Sequence, residues 1–205
     1  MKSAIDPAEA KRVTIESYDK HIDEYIAKDE MDERTLAYWP GVQFFLDSLE
    51  RGAVIFEVGS GAGSDAQRIE EQGFRVQRSD VASQFLKRLG DRGFGTLRYD
   101  VLDAPTPQKY SAIFANAVLL HLTLDQFRIA ARNLFLSLDQ KGMLCVGMKL
   151  GDFEGWREKG LAGKRYFRFW DKAELENELT KVGFKILNTT VIDDGSFVVI
   201  TLQKV

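Results

Sequence analysis

An α/β fold, built on a doubly wound parallel sheet that closes in an antiparallel hairpin, is predicted by three observations. Apolar strand-forming runs alternate with helix-patterned segments through most of the chain, the first run empties into a glycine-rich turn, and the last two runs are separated only by "DDG". Strand, helix, strand repeated in this way gives parallel strands with helices on both faces. A link as short as the last one permits only an antiparallel return.

Taken in order, the chain opens with two helical segments, "TIESYDKHIDEYIAK" and "RTLAYWPGVQFFLDSLERG", the second stopped by Gly52. The strand runs follow: "AVIFEV" (53–58), "FRVQRS" (74–79), "TLRY" (96–99), "YSAIFAN" (110–116) and "MLCVGMK" (143–149). Between them lie "DAQRIEEQ", "SQFLKRLGDR" and "TLDQFRIAARNLFLSL", the last setting Leu124, Phe127, Ile129, Ala130, Leu134 and Leu138 near one helical face. After the fifth run, "LGDFEGWREKGLAGKRYFRFW" reads as irregular, rich in glycine, aromatics and base. The helix "DKAELENELTKVG" has Asp171 to cap its start and Gly183 to stop it, and the runs "FKILNTTVI" and "SFVVITLQ" close the chain.

Composition narrows the function classes. The 205 residues, 44% of them hydrophobic, can bury a full core, so residues 1–205 are read as one domain: N-terminal helices (1–52), a core (53–150), an insertion (151–170) and a terminal helix with hairpin (171–205). Lys+Arg 28 against Asp+Glu 31 leaves a net charge of −3, which gives no global attraction to nucleic acid or an anionic membrane. Cys145 is the only cysteine, so no disulfide within the chain and no paired-cysteine metal site can form, and inside an apolar strand it reads as packing. With no bilayer-length apolar run and no signal-peptide core, the expectation is a cytoplasmic protein without metal or membrane contact.

The chemistry concentrates in "VIFEVGSGAGSD". In doubly wound sheets ligands lie beyond the carboxyl ends of the strands. Gly59, Gly61 and Gly63 let a ligand approach the backbone at the start of the next helix, although such a loop is also an ordinary tight turn. The dinucleotide fingerprint needs a glycine where this chain has Ser64, and the carboxylate of Glu57 repels diphosphate while suiting an ammonium or the loop's own orientation. Asp80, ending the second strand, stands where a carboxylate accepts from ribose hydroxyls. Asp100, after the third, can accept from an exocyclic amine. Either aspartate can also be a simple cap. Together they describe a ligand with an amino group, a ribose and an adenine, and no phosphate requirement.

Here the sequence resembles the class I S-adenosylmethionine-dependent methyltransferases. "EVGSGAG" matches that family's E/D-x-G-x-G-x-G motif, "SDVAS" is similar to its ribose-binding motif, "YDVLDAP" to its adenine-side motif and "YSAIFANAVLLHL" to its fourth-strand motif. "LDQKGMLCVGMK" is similar to the segment before its fifth strand, with Gln140 and Lys141 in place of the usual Pro and Gly. The resemblance covers roughly residues 15–205 and implies a Rossmann-like sheet of seven strands, order 3-2-1-4-5-7-6 with strand 7 antiparallel. It also implies an enzyme that binds S-adenosylmethionine and releases S-adenosylhomocysteine. Glu57, Gly59, Ser60, Gly61 and Gly63 would hold the methionine portion, Asp80 and Val81 the ribose, and Asp100 and Val101 the adenine. Asn116 and Ala117 would face the sulfonium, and Tyr18, in "SYDKHIDEY", resembles a cofactor-side entry motif.

Catalysis and acceptor choice are less determined. His121 is the candidate general base, against a reading as a histidine packed under its loop. Tyr18, Tyr25, Tyr38 and Trp39 suit a lid over the cofactor or a packed core face equally. The basic, aromatic stretch "WREKGLAGKRYFRFW" contains Arg157, Lys159, Lys164, Arg165 and Arg168, and its Arg165, Tyr166 and Arg168 are the candidate substrate contacts for an anionic or aromatic small molecule. An RNA contact and a solvated connector are the rivals. A small-molecule acceptor is expected; RNA or protein methylation, a binding protein without turnover and a nicotinamide oxidoreductase are the alternatives.

Overall fold

The computed structural model describes residues 5–29, 39–158, 163–192 and 194–205. Three helices come first, α1 (Pro7–Lys20), α2 (Ile22–Asp29) and α3 (Trp39–Asp47), followed by β1 (Val54–Val58), α4 (Ser64–Glu71), β2 (Arg75–Asp80), α5 (Ser83–Asp91) and β3 (Thr96–Arg98). Then come β4 (Tyr110–Asn116), a 3-10 turn (Leu119–His121), α6 (Leu124–Ser137), β5 (Leu138–Lys149), β6 (Glu154–Arg157) and β7 (Arg165–Arg168). The chain closes with α7 (Lys172–Val182), β8 (Phe184–Val191) and β9 (Phe197–Lys204).

The main sheet has seven strands in the order β3-β2-β1-β4-β5-β9-β8. Its first five strands pair in parallel, and β9 runs antiparallel to both β5 and β8. This is the predicted order, with β8 and β9 as its sixth and seventh strands. Phe56, Ile113 and Leu144 pack on one face with α6 and α7, while Ile55, Phe114 and Cys145 pack on the other with α3 and α4. Both faces are covered, so the strands read as continuous apolar runs rather than alternating ones.

Several details depart from the expectations. The first helix starts at Pro7, not near Thr14: Asp6 accepts from Ala8 N at 3.0 Å and proline takes the first helical position, where it gives up no needed hydrogen bond. It breaks at His21, so the single N-terminal helix read from sequence is two. Gly52 is not a helix stop, since α3 ends at Asp47; it sits at φ +76° in the turn before β1. Ile129 is 49% exposed and lies off the buried face of α6, which uses Ala131 instead. β5 begins at Leu138, with a register shift against β4, and Lys141 takes φ +63°, the left-handed region that the glycine it replaces adopts freely. The stretch after β5 is not irregular: β6 and β7 form an antiparallel hairpin.

Glu57 lies on the α3 face of β1, 2% exposed, with Oε2 buried and without a hydrogen-bond partner. Burial, reinforced by Asp65 and Asp80, lifts its carboxyl to about 8 from the ordinary 4.5, against the opposing pull of Ser60 and Arg78. The folded protein therefore holds a proton on Glu57 that the unfolded chain has already released. The contribution to stability falls as pH rises from about 4.5 to about 8, by at most ~1.4 kcal/mol per pH unit. Glu57→Gln is expected to match the wild type near pH 5 and to exceed it increasingly toward pH 8 in denaturant unfolding. Parallel stability curves for the two proteins over that range would contradict this account of Glu57.

Candidate active site

At the carboxyl ends of β1, β2 and β4, a cavity of about 150 Å³ is walled by the glycine loop, the turns after β2, β3 and β4, and the inner face of α1. The loop is held from the neighbouring strand β2. Ser60 N–H donates to Ser79 O at 2.8 Å, and Ser79 N–H donates back to Ser60 Oγ at 3.1 Å, tying the loop to β2. Gly59, at φ +70°, has no room for a side chain: a Cβ would stand 2.4 Å from Val118 Cγ2. Gly59 and Gly61 line the cavity, whereas Glu57, Ser60 and Gly63 stand behind it. Gly63 caps α4 at φ +89° against Leu89. Glu57 lies at the foot of the loop, at the end of β1.

Asp80 is 7% exposed and accepts from Gly61 N–H at 3.0 Å and Ala82 N–H at 2.8 Å, so one carboxylate joins the loop to the start of α5. Burial pushes its carboxyl above the usual range, and the backbone donors pull it back. Val81, Val101 and Leu102 form apolar wall. Asp100 accepts from Leu102 N–H at 3.0 Å through one oxygen, and its other oxygen is ion-paired with Lys11 from α1. Asn116 donates to Asp65 at 2.8 Å, while its Oδ1 is buried without a partner. A Cβ on Gly147 would come within 1.9 Å of that oxygen, so only glycine fits beside it. Ala117 is held at φ +54°, with its N–H bonded to Gly147 O at 3.0 Å. Both Asn116 and Ala117 reach the cavity.

The α1 side of the cavity is a chain of hydrogen bonds. Arg165 donates to Tyr18 Oη at 3.0 Å, Tyr18 donates to His121 Nε2 at 2.8 Å, and His121 Nδ1–H donates to Tyr166 O at 2.7 Å. A carbonyl can only accept, which assigns the ring proton to Nδ1 and leaves Nε2 as the acceptor. Burial drives His121 down to about 3, assisted by Arg165 and Lys149 against the Tyr166 carbonyl. Burial likewise raises Tyr18, with Arg165 opposing. Both rings are neutral at physiological pH.

The predicted residues thus separate. Tyr18, Gly59, Gly61, Asp80, Val81, Asp100, Val101, Asn116, Ala117 and His121 are brought together around the cavity. Tyr166 and Arg168, expected to touch substrate, are committed elsewhere. Tyr166 is fully buried and donates to Glu154 at 2.6 Å, while Arg168 is clamped by Glu154 at 2.6 Å and Glu174 at 2.8 Å. Of the N-terminal aromatics, Tyr18 and Tyr25 line the cavity, Trp39 packs with the α3 face of the core, and Tyr38 lies outside the described residues, as does Lys159. Sequence reading missed Lys11, Thr14 and Ile15 on α1 and Phe85 on α5, which also line the cavity. The Asp6–Pro7 helix start is the signal that could have brought Lys11 onto α1.

No family model matches the sequence, and no curated protein matches it. Solved structures do. The 1,6-didemethyltoxoflavin-N1-methyltransferase of Burkholderia thailandensis, solved with 1,6-didemethyltoxoflavin and S-adenosylhomocysteine, matches with a TM-score of 0.75 at 19% identity, over 100% of this chain and 92% of its own. The DhpI–S-adenosylhomocysteine complex matches at 0.80 and 18% identity, over 97% and 98%. The N-methyltransferase NodS of Bradyrhizobium japonicum WM9 matches at 0.67 and 18%, over 92% and 98%. The chain has the Rossmann-like fold of the class I S-adenosylmethionine-dependent methyltransferases.

Proposed function

We propose that the protein binds S-adenosylmethionine and transfers its methyl group to a small-molecule acceptor. The observation that carries this reading is the charge pattern of the cavity. Asp80 and Asp100 line it beside the glycine loop, and among the described residues Lys11 and His121 are its only basic lining residues, the first already paired and the second neutral. A diphosphate would meet carboxylates there; an amino-acid nucleoside meets acceptors where it has donors. The same fold carries bound S-adenosylhomocysteine in the 1,6-didemethyltoxoflavin-N1-methyltransferase and NodS structures, which supports the choice.

Each residue then has a role that its surroundings suit. Gly59 and Gly61 let the methionine portion lie against the main chain, held in place by Ser60, Gly63 and Glu57 from behind. Asp80, with two backbone donors already fixing its orientation, keeps its remaining lone pairs for ribose hydroxyls. Asp100 accepts from the adenine amine, between Val81, Val101 and Phe85. Asn116 and Ala117 turn backbone carbonyls toward the sulfonium side. When bound, the sulfonium supplies an electrophilic methyl group, and the protein's task is to align the acceptor behind it and exclude water.

An adenine amine that binds Asp100 takes the place of Lys11 there. His121 in this reading is a positioning residue: with Nε2 filled by Tyr18 and Nδ1–H by Tyr166, it holds Tyr18 over the site and takes no proton from the acceptor.

Three outcomes follow from these assignments. Calorimetry should give tight S-adenosylhomocysteine binding and none of NADH, with Asp80→Ala weakening the former by about tenfold or more, the loss expected for charge-assisted hydrogen bonds; the reverse preference would sink the reading. Lys11→Met should tighten S-adenosylhomocysteine about threefold to tenfold, because the ligand no longer displaces a partly exposed ion pair worth about 1 kcal/mol. Once an acceptor is in hand, kcat/KM should be level across pH 6 to 8, and an inflection near ~6.5 would return His121 to the role of base.

A further inference from the structure

The β6–β7 hairpin separates its side chains by the two-residue period of a strand. Register pairs Glu154 with Arg168, Gly155 with Phe167, Trp156 with Tyr166 and Arg157 with Arg165, and Phe169 N–H extends the ladder to Phe153 O at 2.7 Å. Glu154, Trp156, Tyr166 and Arg168 therefore share one face, where the acid satisfies the base and the tyrosine. Phe153, Arg157, Arg165, Phe167 and Phe169 share the other. This second face abuts the site: the Phe167 ring lies 4.5 Å from the His121 ring, and Arg165 reaches Tyr18.

Its charge is one-sided. Among the described residues neither Arg157 nor Arg165 has a carboxylate partner, and Arg165 Nε is buried without a hydrogen-bond partner. Arg157 stands 5.6, 5.9 and 5.4 Å from the Phe153, Phe167 and Phe169 ring centroids, and Arg165 stands 5.1 Å from that of Phe167. Opposite Phe167, Gly155 leaves the surface low: around the position of a Cβ there, only Phe153 Cζ comes within 4 Å.

We infer that the methyl acceptor is a flat, anionic small molecule. Its oxyanion group pairs with the guanidinium forks of Arg157 and Arg165, which match a planar anion, and its body rests on the phenyl rings between them. The inference rests on the reading of the site as a methyl-transfer site for its place in the reaction, but the binding preference stands without it.

The test uses three probes of one shape and different charge, 2-naphthoate, 2-naphthamide and 2-naphthylmethylamine, titrated calorimetrically into the whole protein with and without S-adenosylhomocysteine. Naphthoate should bind about tenfold or more tighter than the amide, with the amine weakest. Arg157→Gln should bring naphthoate to the level of the amide, Arg157→Lys should fall between, and neither should alter S-adenosylhomocysteine affinity. Equal binding of the three probes, preference for the amine, no naphthoate binding at millimolar concentration, or undiminished selectivity in Arg157→Gln would each overturn the inference. Failure of S-adenosylhomocysteine to bind would overturn the methyl-donor reading alone, since the order of the three probes is read in its absence too.

Discussion

The site depends on how closely one backbone turn can be brought to its neighbours. Gly59 leaves β1 against Val118 with no space for a methyl group, and Ser60 then exchanges two hydrogen bonds with Ser79 across the gap to β2. Asp80 follows one residue later and binds the loop again at Gly61. The loop is therefore fixed from two strands at once. Its amides and the carboxylate facing them are held by these bonds without help from the helices above, which is the preorganisation that a polar ligand site needs.

Above this floor the walls belong to elements from the two ends of the chain. α1 brings Lys11, Ile15 and Tyr18, and β7 brings Arg165 and the Tyr166 carbonyl. They meet at His121, whose two nitrogens are both occupied. A buried histidine with a filled donor and a filled acceptor is a structural joint, and removing the solvent around it makes its charging costly. The same residue in an exposed loop would titrate near neutrality, so its function follows from what covers it.

The strand order and the cavity floor were legible in the sequence because each depends on local rules. Apolar runs of strand length alternating with helix patterns give the sheet, and the glycines, Asp80 and Asp100 fall at strand ends where the fold places ligands. What was not legible depends on which face a residue takes within an element that was not recognised. Without the β6–β7 pairing, "RYFRF" reads as one basic, aromatic cluster; with it, Arg165 and Phe167 part from Tyr166 and Arg168. Ile129 shows a smaller version of the same problem, since a helix of period 3.6 moves it just past the edge of the buried stripe. Glu57 illustrates a third kind: its motif position was readable, but the depth of its burial, and so its proton, depends on α3 and α4.

Thr14 serves two neighbours at once, the cavity and the β6–β7 hairpin. Its hydroxyl accepts from Tyr166 N–H at 3.0 Å, and one turn on, Ser17 donates to Lys164 O at 2.5 Å, so α1 is stitched along the hairpin on one side while it roofs the cavity on the other. A single helix is thus common property of two neighbouring regions. Any ligand that fixes α1 in place on one side removes conformational freedom from the other, and linkage makes that effect mutual and equal in size. The two halves of the site cannot be tuned independently by substitutions on α1: a residue changed there for one partner is felt by the second.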